Sequence, residues 1–352
     1  MDKKTISPTA TSGRLAWIDA LRGLAIFFVV VGHQTSSPVF LKQYLYSFHM
    51  PLFFFISGFL FSPHKYPSLM DFARARARRL LIPYLSFSVI TYAVWAGIGR
   101  HMTSVAAHRE ISVFKPLVGI LYASDPDNWM PHNGVLWFVV CLFVTEILFF
   151  ALHQRLHAVR SWGLVFLAVS LGGYFVGPLS PARWPWSADV ALTALVFYGF
   201  GFFARPHVAK PLAWSFLKKA PWLLGMLLVS LTLTWWNGYV NMSVLAYAHY
   251  FDFYLMGLAG ITFYLLLAPY LPAVPGLTYL GRHSLVILAF HFLTGSLTRA
   301  LVRFATPWSV EQTLHSTVWM IIYPVVATLL CVPLILAIDR WFPFLLGKKR
   351  HA

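Results

Sequence analysis

The chain has 352 residues, of which 59% are hydrophobic and only 11% charged, and its mean hydropathy is +0.68. A water-soluble domain carries about 25% charged residues, so this composition excludes one and points to a polytopic membrane protein. A net charge of +16 would suggest a nucleic-acid partner for a soluble protein, but here Lys and Arg lie mainly between apolar runs, where they set membrane orientation; no nucleic acid is expected.

Apolar runs long enough to cross about 30 Å of hydrocarbon at 1.5 Å per residue recur along the whole chain. The expected spans are 15–35, 44–62, 80–99, 135–153, 162–179, 188–204, 222–238, 250–268, 283–303 and 317–340. The expectation is an all-α integral membrane protein of about ten helices. Placing both termini in the cytoplasm puts 19 of the 27 Lys and Arg residues inside, in keeping with the positive-inside bias. Residues 1–13 then form a cytoplasmic tail, 14–343 the membrane domain and 344–352 a basic cytoplasmic tail.

The first span, RLAWIDALRGLAIFFVVVGH, holds Asp19, Arg22 and His33, ionisable groups that are costly inside a membrane and usually functional. Asp19 and Arg22 interrupt the apolar run and no A-x-A pattern follows before His33, so the segment is expected to stay attached rather than act as a signal peptide. Eleven residues from Arg22 to His33 make about three turns, which places both on one helix face about 16 Å apart. Asp19, three residues before Arg22, is within reach for an ion pair; mutual neutralisation is the competing reading of the two.

In the second span, SFHMPLFFFISGFLF, His49 enters from the side that His33 approaches, so the two imidazoles can meet at similar depth; a packing role is the alternative. SPHKYPSLMDFARARARRLLIPY follows. Its Arg76 and Arg79, three apart, share a helix face suited to a phosphate group, against a plain anchoring role at acidic lipid. The longest connection, about 100–134, contains ASDPDNWMPHNG, in which Asp125, Asp127, Asn128, Trp129 and His132 either suit a sugar surface or form a turn-rich loop. The fourth span begins at Trp137, an interfacial ring, and buries Glu146, which needs a partner. The ninth carries His291, with Arg282, His283 and Ser284 at its start, Ser284 as a candidate N-cap. Cys141 and Cys331 both fall in apolar runs, so neither a disulfide framework nor a metal site is expected.

A histidine of ordinary pKa near 6.5 can take a proton from a hydroxyl at neutral pH and return it. Acyl transfer needs such a base, positive charge near the carbonyl oxygen and a place for the donor's phosphates. Buried His and Arg together with an inner basic cluster meet these needs, and no G-x-S-x-G elbow, P-loop or zinc motif competes.

These residues fall in motifs that resemble the membrane acyltransferase family 3. Arg22 and His33 match its arginine, ten residues, histidine signature, and FHMPLFFFISGFLF matches its second-helix motif. RARRLLIPYL, LWFVVCLF and GRHSLVILAFHF follow in the family's order. The wording is most similar to standalone sugar O-acetyltransferases of the fucose 4-O-acetylase-like kind. One departure is Leu288, where family members often carry Tyr three residues before the histidine. With Ala352 as the last residue, the SGNH hydrolase-like domain fused to some relatives is not expected.

The resemblance implies ten transmembrane helices and transfer of an acyl group, commonly acetyl from acetyl-CoA, to a hydroxyl of a glycan or lipid-linked sugar. It also implies that His33 is essential and that Arg22 supports it. The resulting expectation is a multi-pass O-acetyltransferase of the bacterial inner membrane, acting in polysaccharide modification. Its partners are acyl-CoA, a glycan or lipid-linked sugar and membrane lipid, with no bound cofactor. Asp19, His49, Arg76, Arg79, Trp137, Glu146 and His291 are the expected substrate-binding residues. The rival is a glycolipid or small-anion transporter or flippase, since buried charges also line transport paths.

Overall fold

The computed structural model describes residues 15–102, 110–124, 129–156, 158–180, 182–314 and 316–348. Ten long helices run through them: α1 (Ala16–Gly32), α2 (Val39–Phe59), α3 (Leu69–Val94), α4 (Trp137–His153), α5 (Val159–Leu179), α6 (Ala188–Ala204), α7 (Phe216–Asn237), α8 (Tyr250–Leu267), α9 (Ser284–Ala305) and α10 (Thr317–Trp341). One isolated bridge, between Asn241 and Ala246, is the only β pairing among the described residues. The protein is an all-α integral membrane protein, and its helices answer one for one to the ten expected spans.

Eight helices, α3 to α10 with their flanking turns, are long and apolar enough to cross a membrane. The first two differ for physical reasons. α1 has 17 residues, the lower limit for a span, and the first half of α2 carries Lys42, Gln43 and His49. Both lie deep in the protein, where neighbouring helices rather than lipid cover them. By contrast α5 and α7 present Leu, Phe and Trp side chains outward, as lipid-facing helices do.

Local chemistry sets several boundaries. Ser68 caps α3 by accepting from Asp71 N at 3.1 Å, so the helix begins at Leu69, eleven residues before the expected span, and carries the arginine cluster on its first turns. It continues through a π turn, Trp95–Gly99. Prolines 51, 83, 324 and 333 lie inside α2, α3 and α10, as membrane helices tolerate. Ser284 is the first residue of α9 and His283 takes the cap position without a side-chain cap, which corrects the N-cap reading of Ser284. Of the expected basic tail, 344–348 folds back on α3, with Lys348 paired to Asp339 at 2.9 Å; residues 349–352 lie outside the described ones.

The position of α1 is fixed by a short helix, Leu277–Arg282, packed along it. Gly281 faces Asp19 O, and Gly23 faces Leu277 O, so closely that a Cβ at either position would run into backbone. Only glycine permits that approach. Gly281→Ala should therefore push α1 away and cost about 1–3 kcal/mol or more. A lowered melting temperature and poor recovery of the detergent-solubilised variant check this, whereas wild-type stability would contradict the packing.

Candidate active site

Three adjoining cavities lie along α1. The first, about 280 Å³, is lined by His33, Tyr46, His49, Trp137, Asn241 and Ser243 together with apolar side chains. The second, about 360 Å³, is lined by Arg22, Ser57, Arg76, Arg79, Arg282 and a predominantly apolar wall. The third, about 220 Å³, holds Arg22, Lys65, Arg76, Arg79, Glu146 and Tyr198. Met50 and Leu288 belong to the wall between the first and second; Arg22, Ser57, Arg76 and Arg79 are common to the second and third. One end is thus an imidazole chamber and the other a basic one, separated by about 16 Å of helical rise.

In the imidazole chamber, His33 follows the last turn of α1 and its Nδ1 lies 2.8 Å from Val29 O. A carbonyl only accepts, so Nδ1 carries the proton and, in the neutral ring, Nε2 keeps its lone pair. His49 Nδ1 is likewise bonded to Leu45 O, and His291 Nδ1 lies 2.8 Å from Leu288 O. The rings of His33 and His291 meet edge to face at 5.1 Å, and Phe292 stands 5.1 Å from His33 on the same side. Tyr46 bridges the other way, 5.7 Å from His33 and 5.0 Å from His49. His33 and His49 therefore share a chamber through Tyr46, while His291 stands behind His33, with its Nε2 lacking a hydrogen-bond partner among the described residues.

The basic chamber is organised by an ion pair. Glu146, almost wholly buried in α4, receives Arg76 Nε and Nη2 on its two carboxylate oxygens. Such a bidentate fork is the strong form of the interaction. Arg76 is thus the partner that Glu146 needs, a pairing invisible in a sequence separation of 70 residues. Arg79 lines the cavities beside it, whereas Arg74 points outward to Asp71 at 3.9 Å. Asp19 is buried and held by Arg282 Nε at 3.3 Å; Arg22, on the next turn, reaches both basic cavities.

Sequence reasoning missed several contributors, among them Tyr46, Lys65, Asn241 and Ser243. Lys65 is one basic residue among many in a polar connection, and Asn241 and Ser243 lie in an irregular connection with no periodic signal. In the connection before α4, Asp125, Asp127 and Asn128 lie outside the described residues. Trp129 packs on Tyr122 at 5.4 Å, and it is Met130, Pro131, Gly134 and Val135 that reach the imidazole chamber. His132 is buried beside Tyr92, without a hydrogen-bond partner among the described residues. Cys141 and Cys331 are both buried thiols.

These features define a multi-pass membrane protein with a histidine chamber and an arginine chamber inside one helical bundle. The chain belongs to the acyltransferase 3 family: the family model, described as an acyltransferase domain, matches residues 15–337. The matched stretch takes in nearly the whole helical bundle, from α1 into α10. It is also similar to the nodulation protein NolL of Mesorhizobium japonicum, 24% identical over 235 residues, which is 63% of this chain and 55% of that protein. The chain thus matches only about half the length of this curated relative. No solved structure matches it.

Two predictions follow from the geometry. Removing one member of a buried pair costs about 3–5 kcal/mol because the other charge is stranded, so Arg76→Gln should recover poorly and Arg76→Gln with Glu146→Gln should recover better; equal losses in both would contradict a coupled pair. In the connection before α4, burial pushes the His132 imidazole down from 6.5 to about 4. The folded state therefore resists a proton that the unfolded chain accepts, so stability is complete above about pH 6.5 and falls between there and about pH 4, by about 3 kcal/mol in all. His132→Phe should lose less melting temperature than wild type between pH 7 and pH 4.5, and parallel losses would refute the assignment.

Proposed function

We propose that the protein moves an acetyl group from acetyl-CoA to a hydroxyl of a glycan or lipid-linked sugar. The observation that carries the reading is the placement of an imidazole chamber and an arginine chamber at opposite ends of adjoining cavities. A CoA thioester has matching chemistry, with phosphates at one end, a slender arm and an acyl carbonyl at the other. Arg22, Arg79 and Lys65 supply cationic donors for the phosphates, and the apolar wall of the second cavity, which leads to Met50 and Leu288, suits the arm.

At the other end, Nε2 of His33 takes the proton of the acceptor hydroxyl as its oxygen attacks the thioester carbonyl carbon. The C–S bond then breaks and the imidazolium returns the proton to the departing thiolate. His33 needs no further residue to set its tautomer, because Val29 O already holds Nδ1–H. His291 at its edge and Tyr46 across from it restrict where the ring can turn, which lowers the entropy lost in reaching the attacking geometry.

The charge bias of the connections supports placing the arginine chamber on the cytoplasmic side, where acetyl-CoA is made, and the imidazole chamber on the far side. Both termini then lie in the cytoplasm. With a bacterial inner membrane as the location, the acceptor would be a cell-surface or periplasmic polysaccharide or its lipid-linked precursor.

His33→Ala should abolish transfer of label from acetyl-CoA to membrane glycans, with normal insertion and melting temperature; wild-type turnover would refute the assignment. Arg79→Gln should raise the KM for acetyl-CoA about 10- to 100-fold with little change in kcat, the loss of one charge-assisted phosphate contact. Added salt should mimic it in part. Unchanged donor kinetics in sealed vesicles exposing the basic face would remove Arg79 from the donor site.

A further inference from the structure

The connection between α7 and α8 is a rigid hook whose side chains enter the imidazole chamber. Asn237, buried at the end of α7, donates through Nδ2 to Tyr247 O at 3.0 Å and accepts from His249 N at 3.0 Å, closing the base of the hook. Asn241 and Ala246 exchange backbone bonds of 2.7 and 3.0 Å across it. Leu245 and Ala248 stand in the left-handed region at φ 57° and 53°, a conformation that such residues adopt only when the surroundings impose it. From outside, Arg183, itself paired with Asp189 in α6, donates through Nη1 to Ser243 O. Ordering such a connection costs about 1–2 kcal/mol of backbone entropy per residue, which these bonds offset.

What the hook presents is a polar edge beside aromatic faces. Asn241 Oδ1 accepts from Ser243 N at 3.1 Å and from Ser243 Oγ at 2.7 Å, while Nδ2 donates to Tyr239 OH at 3.3 Å. These bonds use one amide hydrogen of Asn241 and the hydroxyl hydrogen of Ser243. A second amide hydrogen, the Tyr239 hydroxyl hydrogen and the lone pairs of Ser243 Oγ are left for a ligand. Tyr239, half exposed, lies 5.5 Å ring to ring from Tyr46, which lines the chamber together with Trp137. Aromatic faces take the apolar C–H face of a pyranose, and an amide beside a hydroxyl takes its ring of hydroxyls.

We infer that the hook, through Tyr239, Asn241 and Ser243 with Tyr46, is a sugar-binding subsite that orients a pyranose with one hydroxyl toward His33. This deepens the acyl-transfer reading and rests on it for the identity of the reacting hydroxyl, but binding by the hook is measurable without donor. The same recognition serves a free glycan and a lipid-linked sugar. The position of the hydroxyl that reaches His33 would be set by the hook rather than by the imidazoles.

Saturation-transfer NMR on the full chain in nanodiscs, with methyl glycosides of hexoses, 6-deoxyhexoses and N-acetylhexosamines as probes and no acetyl-CoA, tests this. Wild type should bind at least one glycoside, and Asn241→Asp combined with Ser243→Ala should weaken it tenfold or more. The aspartate keeps the oxygen that accepts Ser243 N–H, so the hook retains its turn. Tyr239→Phe, which keeps the ring, should bind better than Tyr239→Ala. The farnesyl glycoside of the bound sugar separates the sources: tighter binding than the methyl glycoside indicates a lipid-linked sugar, and equal binding a free glycan. No glycoside bound by wild type, or equal affinity in the hook variants, overturns the inference. Hook-dependent binding without any acetyl transfer from acetyl-CoA supports the subsite and instead overturns the proposed function.

Discussion

A carboxylate inside a membrane protein has to be met by a cation, and Glu146 is met by Arg76. That single requirement ties α3 to α4 and draws the start of α3, with its arginines, against the bundle rather than letting it float at the lipid surface. The same constraint recurs with Asp19 and Arg282, which join α1 to the helix before α9, and with Asp189 and Arg183, which pin the connections on the opposite face. Desolvation makes such pairs poor sources of net stability. Their consequence is specificity: each is formed in one arrangement of helices.

From this follows a division of labour among the arginines. Arg76 is committed to Glu146 through two of its three nitrogens, and Arg282 is engaged by Asp19, while Arg79 and Arg22 line the cavities beside them. The close approach of Gly281 and Gly23 then holds α1 still, so the distance between Arg22 and His33 is a property of a rigid helix rather than of flexible segments. Met50 and Leu288 set an apolar wall between the two chambers. Among the cavity linings, charged side chains thus stand at one end and the imidazoles at the other. On the proposed mechanism, an acyl carbonyl arriving at His33 meets a proton acceptor and dipoles inside the protein, where they act more strongly than they would in solution.

The helices were legible because lipid and a helical core both demand long apolar runs, and that signal survives in every span from α3 to α10. Boundaries governed by side-chain caps were less so: α3 starts at Leu69 because the Ser68 hydroxyl caps it, inside a stretch that reads simply as polar and basic. Arg22 and His33 were visible because ionisable residues stand out against an apolar background and share a helical face. The partner of Glu146 was not, since a tertiary ion pair leaves no trace in local spacing. Asp19 shows the same blindness: besides its neighbour three residues away, Arg282 reaches it from across the fold. Tyr46 looked like one aromatic among many, and Asn241 and Ser243 like ordinary turn residues; only the folding of the hook over the chamber gives them a chemical setting.

The central claim is that one CoA thioester occupies both chambers at once. A cryo-EM structure of the full chain with a non-hydrolysable acetyl-CoA analogue, its thioester sulfur replaced by methylene, tests it most directly. The account predicts phosphates against Arg79 and Arg22, the arm passing between Met50 and Leu288, and the carbonyl carbon beside Nε2 of His33. Phosphates bound on the opposite face, or a carbonyl remote from His33, would contradict it.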